Sequence, residues 1–244
     1  IMNLRINHIV GCCFVCLCTH AYADSWVLTL GRAERTAGFR PSIYDNTPWG
    51  DSWGASVLRD DDGLYHMWVS VMANNAGIEY WPANSYVIHA TSRKPEGPYT
   101  YVADAFPVFA HEVDVKRGPG GKWVAFLTAG TVDGKLGPSS YGPAIEFDEN
   151  GEPTRDVELG ASTEATVLVV ADSPYGPWSD PIVLLNPKTL LDGIDANFSA
   201  VVREDGSLVG LWRTWPGGSQ VHWVTATDYL DVKTYVWQDQ EESV

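Results

Sequence analysis

Beyond residue 24 the apolar positions fall in short runs of Val, Ile, Thr, Tyr and Trp, each closed by Gly, Pro, Asp or Asn. This alternation predicts many short antiparallel strands, and helical spacing of apolar residues is nearly absent. The runs also repeat. Residues 55–70 (ASVLRDDDGLYHMWVS) are followed by 86–102, residues 112–130 (EVDVKRGPGGKWVAFLTAG) by 165–183, and residues 198–215 (FSAVVREDGSLVGLWRTW) by 221–237. Each repeat opens with an apolar strand ending in Arg59, Arg117 or Arg203, then a polar turn closed by Gly63, Gly121 or Gly206. A strand carrying Trp68, Trp123 or Trp212 comes next. A third strand ends in Ala-Thr-Ser, Ala-Asp-Ser or Ala-Thr-Asp, and a turn leads to a fourth.

A tight hairpin needs a residue that tolerates positive φ, and Asp-Gly supplies it in two of the three turns. Four meandering antiparallel strands make one blade of a β-propeller, and a blade buries both faces only by packing against its neighbours. The fold class predicted is therefore all-β: four-stranded blades with Val57, Val115 and Val201 on the innermost strands. The second repeat carries an insertion at about residues 131–163, as rim loops tolerate. Trp68, Trp123 and Trp212 share the second-strand position of their repeats and read as packing between blades. Trp49, Trp53, Trp81 and Trp215 are placed in turns or insertions, where an indole can stack on a sugar ring.

The first 23 residues read as a secretory leader. Arg5 is the basic start, residues 9–18 are an apolar run, and Ala21-Tyr22-Ala23 is the cleavage signature. The expected division is a signal peptide at 1–23 and a propeller domain at 24–244, C-terminally incomplete, with about three to four of five blades present. All four cysteines lie in the leader, so the mature chain has no disulfide and no thiolate-bound metal. Net charge is −15, and loss of Arg5 makes it one unit more negative. An acidic surface of this kind repels nucleic acid and anionic membranes and suits a neutral ligand. A secreted monomer without metal or cofactor is expected, with a carbohydrate as its partner.

The phrases ATSRKPEGPY, ADSPYGPW and GIDANFSAVVREDGSL, in this order within the repeats, resemble the five-bladed propellers of family 43 glycoside hydrolases and their relatives. The resemblance runs from about Trp49 to Trp237. It implies hydrolysis of neutral glycans with inversion, by carboxylates gathered from the starts of the innermost strands. Inversion needs two carboxylates far enough apart to admit water. Asp195 resembles the family's pKa-tuning aspartate, although Ala196 stands where the family has proline. Asp51 takes the base position, in a motif (GDSWGASV) that departs from the family's Asp-Pro. Glu112 is a third axial carboxylate, with His111 beside it. Trp53, Trp81, His111 and Trp215 are the substrate-binding candidates. The general acid is expected beyond Val244, with Glu164 as the internal substitute.

Asp60, Asp61, Asp62, Glu204 and Asp205 read as solvated turn acids. His66, His89 and His222 read as hydrogen-bonded packing residues within strands. The sequon Asn197-Phe198-Ser199, beside an axial strand, is expected to stay unmodified. The competing reading is a catalytically inactive propeller that binds glycan or protein, since the carboxylate set has a member missing.

Overall fold

A computed structural model describes residues 52–137, 142–155, 165–185, 197–213 and 221–238. The proposed leader and Asp51, Glu164, Asp195 and Trp215 lie outside them. The described residues form three antiparallel sheets. The first is β1 (Ser52–Arg59), β2 (Tyr65–Met72), β3 (Ser85–Ser92) and β4 (Thr100–Phe106), paired in chain order. Between β2 and β3 lie 3-10 turns and a short helix, α1 (Trp81–Asn84). The second sheet has β5 (Ala110–Arg117), β6 (Trp123–Val132), β8 (Ala165–Ala171) and β9 (Ile182–Leu185), while β7 (Lys135–Gly137) folds back on β6. The third has β10 (Ser199–Val202), β11 (Leu208–Arg213), β12 (Val221–Ala226) and β13 (Val236–Gln238). These are the propeller blades that the repeats predict.

The hairpins close where the turn glycines stand. Gly63, Gly121 and Gly206 have φ of 85°, 79° and 82°, the left-handed region that a Cβ disfavours. Two of the hairpins add a carboxylate cap: Asp60 accepts from the Leu64 N–H at 2.7 Å, and Asp205 from the Ser207 N–H at 2.9 Å.

The middle blade is apolar on both faces, because each face meets a neighbouring blade. Along β6, Trp123, Ala125, Leu127 and Ala129 join a core with Trp68 and Val87 of the first blade. The alternate residues Val124 and Phe126 join a core with Phe198, Leu208 and Trp212 of the third. This two-sided burial explains why β6 reads as a continuous apolar run rather than an alternating one. The three repeat tryptophans are all buried, and Trp68 and Trp123 meet ring to ring at 5.6 Å across the first interface. Truncating either to Ala would cost about 3–5 kcal/mol.

Polar stitches join the first strands of the blades. The Ser56 hydroxyl on β1 accepts from the Val115 N–H of β5 at 3.0 Å and donates to its carbonyl at 3.2 Å. Asp114 of β5 accepts from the Ser199 hydroxyl at 2.8 Å and the Ala200 N–H at 3.3 Å on β10, while Lys116 pairs with its other oxygen at 2.8 Å. Val57, Val115 and Val201 are on these strands as expected. Val115 alone is buried, because β5 lies between β1 and β10, whereas Val57 and Val201 face outward.

Asp60 corrects the reading of the turn acids as solvated. Its side chain is mostly buried, and it accepts from His66 Nε2 at 3.0 Å. His66 Nδ1 in turn meets His89 Nε2 at 2.9 Å. With the Nε2 proton of His66 committed to the carboxylate, the network assigns the shared proton to His89 Nε2. Both imidazoles stack on Trp68, so these histidines are packing residues with satisfied hydrogen bonds, as expected.

Candidate functional site

Two backbone irregularities set up the site. The β1–β2 register shifts between Trp53 and Ala55, where Gly54 takes φ of 53°. The β5–β6 register shifts between His111 and Asp114, and there Glu112 takes φ of 53°. The bulges face each other: a Cβ on Gly54 would stand 3.6 Å from the Glu112 Cα. A left-handed glutamate is held against its preference at a cost of about 1–3 kcal/mol, and such strain concentrates at functional sites. The Glu112 N–H, turned out of the ladder, donates to the Ser70 hydroxyl at 3.0 Å.

The bulges aim three of the predicted substrate-binding residues at one another. Trp53 stacks on His111 at 4.9 Å and 27°. Trp81 presents its edge to both, at 5.1 Å from His111 and 6.0 Å from Trp53. Phe109 closes the group edge-on to His111 at 4.6 Å. Trp81 occupies the β2–β3 connection as expected. Trp53 does not sit in a turn but on β1, whose first residues the bulge at Gly54 had disguised.

His111 is fully buried, and burial pushes its imidazole pKa down to about 3, so the ring is neutral near pH 7. The Ser85 hydroxyl donates to the Trp81 carbonyl at 2.8 Å, which leaves its oxygen to accept from His111 Nδ1 at 3.4 Å. This assigns the proton to Nδ1 and a lone pair to Nε2. His111 Nε2 and Trp53 Nε1 are both buried, and neither has a hydrogen-bond partner among the described residues. The box thus offers one acceptor and one donor inside an aromatic wall.

Of the predicted carboxylates only Glu112 falls within the described residues, half-buried and next to His111 along β5. Ser70, Ser85 and Phe109 are site residues that sequence reasoning missed. Phe109 had a signal, standing two places before His111; the two serines had none. Among the described residues no group of three or more His, Cys, Asp or Glu side chains could hold a metal ion.

No protein-family model and no curated protein matches the sequence. Solved structures do match in fold. An endo-arabinase from Bacteroides thetaiotaomicron VPI-5482 is 12% identical with a TM-score of 0.53, over 82% of this chain and 66% of that one. Zg3597, a family 117 glycoside hydrolase produced by the marine bacterium Zobellia galactanivorans, is 13% identical with a TM-score of 0.53, over 77% and 55%. A thermostable family-43 glycoside hydrolase is 11% identical with a TM-score of 0.54, over 82% and 59%. The chain spans between 55% and 66% of the length of these three. It therefore has a glycosidase-like propeller fold.

Proposed function

We propose that the protein binds a neutral glycan at the Trp53–Trp81–His111 box and hydrolyses it through carboxylates at the starts of the innermost strands. The observation that carries this reading is the aromatic box with two buried polar atoms that no described residue engages. A sugar ring matches it in kind: C–H faces stack on indole, and a hydroxyl both accepts from Trp53 Nε1 and donates to His111 Nε2. Glu112 follows His111 on β5, and the bulge that strains it also turns its backbone away from the ladder. In the inverting scheme Asp51 takes the proton of the attacking water, Glu164 protonates the leaving oxygen and Asp195 tunes that acid, with Glu112 supplying negative charge near the developing oxocarbenium ion. The product acts outside the cell after loss of residues 1–23.

The test is calorimetry with arabino-, xylo- and galacto-oligosaccharides, followed by NMR of the released anomer. Saturable binding with inverted product supports the whole reading. Binding without cleavage would leave the inactive glycan-binding propeller, and no binding to any of the three would overturn the assignment of the box.

A further inference from the structure

The short segment that carries Trp81 has two working faces. Trp81 and Ser85, four residues apart, face the box: Trp81 by its ring, and Ser85 by its contact with His111. Tyr80 and Asn84, also four apart, face the insertion between β7 and β8. Tyr80 meets Phe147 edge-on at 4.9 Å. Asn84 is fully buried and grips Ile145 by both backbone polar groups. Its Nδ2 donates to the Ile145 carbonyl at 2.8 Å, and its Oδ1 accepts from the Ile145 N–H at 3.0 Å. The second Nδ2 proton goes to the Ala73 carbonyl at 3.1 Å, and Asn74 adds a bond of 2.9 Å to the same Ile145 carbonyl.

The gripped segment is itself well formed. Asp148 accepts from the Asn150 and Glu152 N–H groups at 2.8 and 2.9 Å, and the Thr154 N–H donates to the Glu146 carbonyl at 2.8 Å. Residues 146–154 are thus a hairpin with Ile145 at its root. The Trp81 carbonyl accepts from both the N–H and the hydroxyl of Ser85, the residue next to Asn84, so the turn from Trp81 to Ser85 is one hydrogen-bonded unit. A shift of the hairpin is therefore a shift of Trp81 and Ser85.

We infer that the 145–154 hairpin sets the wall of the box through Asn84, making Asn84 a positioning residue for Trp81. The ligand consequence rests on the glycan reading above; the mechanical coupling does not. Asn84 touches no ligand in this account. It fixes the helix turn from which Trp81 projects.

The experiment measures acrylamide quenching of Trp81, taken as the difference between each protein and its Trp81→Phe counterpart. The series is the parent, Asn84→Ala, Asn84→Asp and Tyr80→Leu, each checked for cooperative unfolding. Asn84→Ala is expected to raise Trp81 quenching. Asn84→Asp, which keeps the acceptor for Ile145 N–H and loses both donations, should fall between the two. Tyr80→Leu removes the second contact of that face with the hairpin, the ring against Phe147, and should raise quenching even if Asn84→Ala does not fold. For an oligosaccharide that binds the parent, Asn84→Ala should weaken affinity about 10-fold, the scale of one stacking contact, and should add nothing once Trp81 is already Phe. Unchanged Trp81 quenching in folded variants would overturn the coupling, as would fully additive losses of affinity. Raised quenching in a protein that binds no glycan would uphold the coupling and overturn only the glycan reading.

Discussion

Trp53 lies flat against His111, with ring centroids 4.9 Å apart and each ring holding a buried nitrogen that no described residue engages. The pair separates stacking from hydrogen bonding experimentally. Trp53→Ala removes both and should weaken a bound neutral oligosaccharide by about 10- to 100-fold, while Trp53→Phe keeps an aromatic face and loses only the N–H, costing about 10-fold or less. Isothermal titration checks both. Equal losses for the two variants would mean that the indole face carries no binding.

Two buried histidines predict an acid-sensitive fold. His111 is lowered to about 3 by burial, and His89 to about 3 by burial and then by the charge of His66. Both lie below the ordinary histidine value, so between that value and about pH 3 the unfolded chain binds more protons than the folded one. The stability they contribute is complete above about pH 6.5 and falls as pH drops through this window. Each histidine contributes a slope on the order of 1 kcal/mol per pH unit. For Asp60, burial works to raise the carboxyl, but the hydrogen bonds from His66 and the Leu64 N–H outweigh it and hold it below the usual value. Its contribution is present above the ordinary aspartate range and is lost only at still lower pH. Urea unfolding from pH 8 to 4 should show midpoints flat at the top and declining below about 6.5. The decline should be shallower in His89→Gln.

The parts of the fold legible in sequence are those with a local cause. Gly63, Gly121 and Gly206 could be placed because positive φ is a property of one residue, and all three adopt it. Trp68, Trp123 and Trp212 could be placed because each lies on the strand that follows its turn glycine, and all three are buried between blades. Of the candidate site the sequence offered only single residues, and three of them, Trp53, Trp81 and His111, meet in the fold. What held them was not legible. Ser70 meets Glu112 across 42 residues and Asn84 meets Ile145 across 61, with nothing in either neighbourhood to announce the partner. Asp60 looked like any turn acid until β2 delivered an imidazole to it. Gly54 hid the start of β1, because a bulge breaks the alternation by which a strand is read.

The Ser56–Val115 stitch predicts a stability loss with no change at the box. Ser56→Ala leaves the Val115 N–H and carbonyl of an inner strand without that partner, at a cost of about 1–3 kcal/mol. Guanidinium unfolding should show a lower midpoint with an unchanged slope, and oligosaccharide affinity should stay at the parent value. A folded Ser56→Ala protein as stable as the parent would mean that the contact between β1 and β5 is held by apolar packing alone.

Glu112 predicts opposite effects on stability and activity from one substitution. Its φ of 53° is disfavoured for any residue with a Cβ, and the strain persists because the Ser70 hydroxyl and the facing bulge at Gly54 hold the backbone in place. Glu112→Gly removes the Cβ penalty, while its greater freedom in the unfolded chain offsets part of the gain; the net expectation is a stabilisation of about 1 kcal/mol. Glu112→Gln keeps the side-chain shape and the strain, so its stability should match the parent. If the carboxylate serves hydrolysis, both variants should lose about 100-fold or more in turnover, the scale for a group acting on the reacting atoms. Thermal unfolding and anomer-resolved NMR on the same preparations read the two effects separately. A Glu112→Gly protein that is stabilised and cleaves as fast as the parent would make the strain a feature of the bulge alone, and would remove Glu112 from the chemistry.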